Sequence, residues 1–142
     1  AFAQCLQIGR ARPRYTRVLA RPGAADLEAL RERLEAAHNP FLLVGGSGWT
    51  AEALAQVQGF AERFDLRGGV SWRRLECFDQ HHPNFAGHVG WGMHDDLRQR
   101  VRNADLLLTL GDLAAELRDL RLCHLAFGID AASLAVLLQP ST

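Results

Sequence analysis

The run Phe41-Leu42-Leu43-Val44, followed at once by Gly45-Gly46-Ser47-Gly48, constrains this chain more than any other stretch. Four consecutive apolar residues without polar alternation read as a strand buried on both faces, the environment of a parallel sheet. The glycines stop the strand. Thr50 then offers a helix N-cap, and Ala51 onward favours helix. Strand, glycine turn and helix form the crossover that brings backbone N–H groups and the positive end of a helix dipole up to a phosphate. Gly46-Ser47-Gly48-Trp49-Thr50-Ala51 also satisfies the loose dinucleotide pattern G-x-G-x-x-G/A. The same pattern serves as a tight turn that lets helix and strand pack closely. The stretch therefore speaks to fold class before it speaks to function.

The remainder of the chain supports an α/β reading. Its 142 residues suit one domain with a core. Residues 1–22 carry Arg10, Arg12, Arg14, Arg17 and Arg21 with no acid and read as a linker or arm, leaving 23–142 as the domain. A helix is predicted over Ala24–Ala37, with Leu27, Leu30, Leu34 and Ala37 on one stripe. Another is predicted over Ala51–Phe64, with Leu54, Val57, Ala61 and Phe64 inward. A weak strand at Gly69–Trp72, a helix at Asp95–Arg102, strands at Leu106–Leu110 and Leu122–Ala126, and a closing helix at Ala131–Leu137 complete the pattern. Strands alternating with helices imply a single doubly wound, Rossmann-like parallel sheet. Residues 73–94 read as one long irregular segment, the kind that serves function or an interface.

Bulk properties narrow the partners. Formal net charge is zero, so the total gives no strong attraction to nucleic acid or membrane. No apolar run approaches a membrane span and no secretory leader pattern opens the chain. Three cysteines at unrelated spacings, Cys5, Cys77 and Cys123, argue for a reducing compartment, and a cytoplasmic location is expected. The chain opens with Ala1, as expected of a segment from a longer protein.

Several patterns invite chemistry. Arg73 and Arg74 stand near the end of the second predicted strand, where an Arg favours NADP. An NADP-dependent oxidoreductase is nevertheless a minor alternative, since a chain without Lys has no Tyr/Lys pair. Cys77, His81, His82, His88 and His94 share the irregular segment but match no zinc-ligand spacing, and no metal site is expected. Cys77 has no evident base and orienting partner, so a nucleophile is not expected either. The three tryptophans, Trp49, Trp72 and Trp91, flank the predicted loops and read as cleft walls or interface anchors.

Five motifs in order point to a family. They are Phe41–Trp49, Trp72-Arg73-Arg74, the run Phe78-Asp79 to His82-Pro83-Asn84-Phe85-Ala86-Gly87-His88-Val89-Gly90, the run Ala104-Asp105 to Gly111, and the closing Ile129-Asp130 to Leu138-Gln139-Pro140. Together they resemble the central domain of thiamine-diphosphate-dependent enzymes of the acetolactate synthase and benzoylformate decarboxylase type. The resemblance implies a sheet of about six parallel strands in the middle of three domains. It implies thiamine diphosphate and Mg²⁺ held by flanking pyrimidine- and pyrophosphate-binding domains, in a homo-oligomeric parent. It implies no catalytic residue and no cofactor for this chain alone. The alternative it carries is an FAD or ADP module using Gly45, Gly46, Ser47, Gly48 and Trp49, Gly90, Trp91, Gly92 and Met93, Gly111, and Asp130. Against that family, Arg67-Gly68 replaces a usual Pro-Val, and Leu113 replaces an Arg that could face a nucleotide phosphate. The Gly-Asp-Gly and Asn that hold Mg²⁺ in such enzymes are not matched, because Leu113 follows Asp112 and no Asn follows Asn103.

Overall fold

Short parallel strands alternate with helices in the computed structural model, which describes residues 22–111. The order is α1 (Ala24–Ala36), β1 (Pro40–Val44), α2 (Ala51–Arg63), β2 (Arg67–Ser71), a 3₁₀ turn at Leu75–Cys77, β3 (Phe85–Val89), α3 (Asp95–Arg102) and β4 (Leu106–Leu110). The strands lie in the order β3-β2-β1-β4, each pair parallel. The predicted strand at 122–126, the helix at 131–137 and nearly all of the arm fall outside the described residues.

Alternation along β1 and β4 sends side chains to two cores, as a sheet covered on both faces requires. Leu42 and Val44 join Leu106, Leu108 and Leu110 beneath the apolar faces of α1 and α2. Phe41 and Leu43 join Leu107, Val89 and the inward residues of α3 on the other face. The register places Leu42 opposite Leu108 and Val44 opposite Leu110, so like-facing residues meet across the pair. This is the doubly wound arrangement expected from the alternating pattern.

Three details differ from expectation. The buried stripe of α2 is Ala53, Val57, Phe60 and Ala61, while Leu54 and Phe64 are only partly covered. Phe64 sits at the C-cap, past the last full turn, and its ring leans on Phe60 with centroids 5.0 Å apart. Second, β2 begins at Arg67 and ends before Trp72. Its glycines are required by close approach. A Cβ on Gly68 would come within 2.9 Å of the Phe78 ring, and one on Gly69 within 3.0 Å of both Phe41 and Val89. Bare backbone lets an aromatic side chain settle on each face, an advantage that strand propensity does not register. Third, the segment 73–94 contains β3. Gly87 (φ +121°) and a register irregularity at Gly68/Gly69 break its alternation, and its first four residues are only partly buried.

Candidate functional site

A ligand site in an open parallel sheet lies beyond the carboxyl ends of the strands. Here that end gathers Gly45–Trp49 after β1, Trp72 and Arg73 after β2, Gly90–Met93 after β3 and Gly111 after β4.

The β1 turn is closed on itself. The Gly45 N–H donates to the Leu110 carbonyl (2.9 Å), and the Gly45 carbonyl accepts from Trp49 Nε1 (2.7 Å). Gly111, at φ +90°, packs against the same unit, and a Cβ there would run into the Gly45 carbonyl oxygen. Gly46 (φ 72°) and Gly48 (φ 86°) turn the chain, leaving Ser47 and Gly48 exposed. Thr50 caps α2 as predicted, its Oγ1 accepting from the Ala53 N–H (3.1 Å). One of the donors that a phosphate would need at this helix end is thus committed to the protein.

The other strand ends form an aromatic surface. Trp91 is 85% exposed and Trp72 42% exposed, their rings 6.2 Å apart and tilted by 47°. The Arg73 guanidinium lies 4.7 Å from the Trp72 ring centroid. Gly90 fits against Trp72, where a Cβ would meet the tryptophan Cβ at 2.8 Å. Met93 does not face this surface; it is buried in the α3-side core. Asp130 lies outside the described residues.

The Cys/His segment is spread out. Cys77 is buried in the α2-side core, and burial pushes its thiol pKa up, with the Glu76 charge adding to the effect. A raised thiol pKa disfavours a nucleophile. His82 Nε2 pairs with Glu62 (2.8 Å), while His94 caps α3 through Nδ1 and the Asp96 N–H (3.4 Å). Among the described residues no three His, Cys, Asp or Glu converge on one point.

The opposite, amino end of the sheet holds a set of latches that the sequence reading did not assign. Asp105 accepts from the backbone N–H groups of His38 (2.6 Å) and Asn39 (3.0 Å), tying the start of β4 to the start of β1. The His38 bond first, and the Asn39 bond with it, holds the Asp105 carboxyl below the usual carboxylate range. The Asn39 amide donates to the Asn103 carbonyl (2.9 Å). Buried Asn84 donates to the carbonyls of Ala61 (3.2 Å) and Leu66 (2.9 Å), pinning the approach to β3 against the end of α2 and the start of β2. Arg67 reaches the Pro83 carbonyl (2.7 Å). The available signal was position: Asn84 and Asp105 each stand just before a strand and within one of the segments that carry the family resemblance.

Comparison with known proteins gives a consistent picture. Residues 27–128 match the family described as the thiamine pyrophosphate enzyme central domain. The sulfoacetaldehyde acetyltransferase of Alcaligenes xylosoxydans is 29% identical over 89 residues, 63% of this chain. That of Rhodobacter capsulatus is 30% identical over 90 residues, again 63% of the chain. The matched stretch spans only 15% of each of these relatives. A thiamine diphosphate-dependent 4-hydroxybenzoylformate decarboxylase from Rhodococcus jostii RHA1 superposes with a TM-score of 0.62 at 20% identity, covering 88% of this chain and 28% of the decarboxylase. The last similarity speaks to the fold.

Proposed function

This chain belongs to the thiamine pyrophosphate enzyme central-domain family, and we propose that it is the non-catalytic brace of a longer enzyme. Its parent forms or cleaves a C–C bond next to a carbonyl, as a 2-oxo acid decarboxylase or an acetolactate synthase-like transferase does. Thiamine diphosphate and Mg²⁺ belong to flanking pyrimidine- and pyrophosphate-binding domains, and the parent is a cytoplasmic homo-oligomer. The cofactor supplies the carbanion chemistry, and protein domains supply position and electrostatics.

The observation that carries this reading is the closed β1 turn. Gly45 spends its N–H on Leu110 and its carbonyl on Trp49, and Gly111 fills the space above it. On this reading the glycines serve packing rather than phosphate binding. Gly90, Trp91 and Gly92, together with Trp72, present a surface to a neighbouring domain. Partly apolar, exposed tryptophans suit such a contact. Among the described residues no helix is long and apolar enough to cross a membrane.

Thermal unfolding of the purified chain tests the assignment. The melting temperature should be unchanged by thiamine diphosphate with Mg²⁺, by FAD and by ADP. A rise that grows with FAD or ADP concentration would make the chain a nucleotide-binding module instead. A rise with thiamine diphosphate and Mg²⁺ would remove the bracing role altogether.

A further inference from the structure

The groove between α3 and β3 runs along the β3 edge of the sheet, with the first residues of β2 and β3 in its wall, apart from the carboxyl-end glycine turns. It is an open-sided groove of about 370 Å³, toward the small end of the range of about 300–1,000 Å³ typical of small-molecule sites. Phe85, Ala86 and Leu97 supply apolar lining. Arg67 comes from β2 and Arg100 from α3, and His94 and Asp96 lie at the start of α3. Arg67 is held in place by its bond to the Pro83 carbonyl, which leaves most of its five N–H donors free for another acceptor. The Arg100 side chain makes no hydrogen bond or ion pair among the described residues. Asp96, the single acid of the lining, lies 3.5 Å from His94.

We propose that this groove binds a small organic anion, with an apolar body against Phe85 and Leu97 and a carboxylate or phosphate held by Arg67 and Arg100. Two guanidinium groups outweigh the single carboxylate of the lining, so the site selects against cations. The planar fork of arginine suits either oxyanion, and bidentate geometry adds selectivity over a point charge. Neutral analogues of the same shape would keep the apolar contact and lose the charge-assisted bonds, which are the stronger contribution.

Benzoate and phenyl phosphate are suitable probes, with benzamide as the uncharged control, titrated into the purified full chain by NMR. Both anions should shift the Ala86 and Leu97 signals saturably and compete with each other, while benzamide should not. The tighter of the two identifies the preferred headgroup. Arg100→Gln should weaken binding about tenfold and leave the rest of the spectrum in place, since Arg100 is exposed. Asp96→Asn should tighten binding. The proposal fails if no saturation is reached by about 20 mM, a range in which even weak millimolar sites fill. It fails equally if Arg100→Gln leaves the affinity unchanged.

Discussion

The two ends of the sheet are built on different principles. At the carboxyl end the chain turns on glycines and packs backbone against backbone, with Gly45, Gly111 and Trp49 closing one unit. At the amino end side chains do the joining: Asp105, Asn39 and Asn84 reach across the chain to backbone groups of other elements. One end omits side chains at Gly45 and Gly111 to gain proximity and adds one indole bond; the other relies on polar side chains as ties. The contrast teaches that a glycine-rich strand end need not be a binding loop. Its tightness can serve the same structural end as the polar ties opposite.

Substitutions can break or sharpen this contrast. The largest effect is expected at the closed end. Gly111→Val places a branched Cβ on the Gly45 carbonyl at a positive φ, and urea denaturation should show a loss of more than about 3 kcal/mol. Asn84→Ala should come next, because it removes a buried donor from the Leu66 carbonyl and leaves the Ala61 carbonyl with the Leu66 N–H alone (2.8 Å); a loss of about 2 kcal/mol is expected in the same assay. Asp105→Asn should cost less, and its effect should depend on pH. A carboxyl whose folded pKa is lowered stabilises the fold above its ordinary value, about 3.9, and loses that contribution as pH falls through the lowered folded value. Stability of the native chain should therefore decline across that acid window more steeply than that of Asp105→Asn. The smallest effect belongs to Trp91→Ala. The side chain is exposed, so stability should stay within about 0.5 kcal/mol, while association with the flanking domains of a full-length parent should weaken. Unchanged association would remove Trp91 from the interface.

Long apolar runs made the fold legible. Phe41–Val44 and Leu106–Leu110 announced two neighbouring buried strands, and the leucine spacing of α1 gave Leu27, Leu30 and Leu34 as its buried stripe, with Ala37 only partly buried at the C-cap. What stayed hidden depended on partners distant in sequence. Gly68 and Gly69 looked like strand breakers because Phe78, Phe41 and Val89, the groups that need their bare backbone, stand elsewhere in the chain. The β3 strand was hidden for a related reason: at an irregular pairing its residues lose clean alternation. At the candidate site, sequence located the strand-end glycines but not the Gly45–Trp49 bond that closes them. The amino-end latches were visible only as motif positions, because Asp105 finds its partners 66 and 67 residues away.

That separation bears on how the molecule comes into being. β1 occupies the middle of the sheet, but its β4 neighbour and the Asp105 tie arrive only after α2, β2, β3 and α3 have been made. Long-range parallel pairing of this kind folds slowly, because loop closure must precede its reward. A nascent chain on the ribosome would hold Phe41–Val44 uncovered along one edge until Leu106–Leu110 emerges. Truncation after Asn103 should therefore give a chain whose amides exchange freely with solvent, whereas protected β1 amides in that truncation would show that the first half of the sheet stands alone.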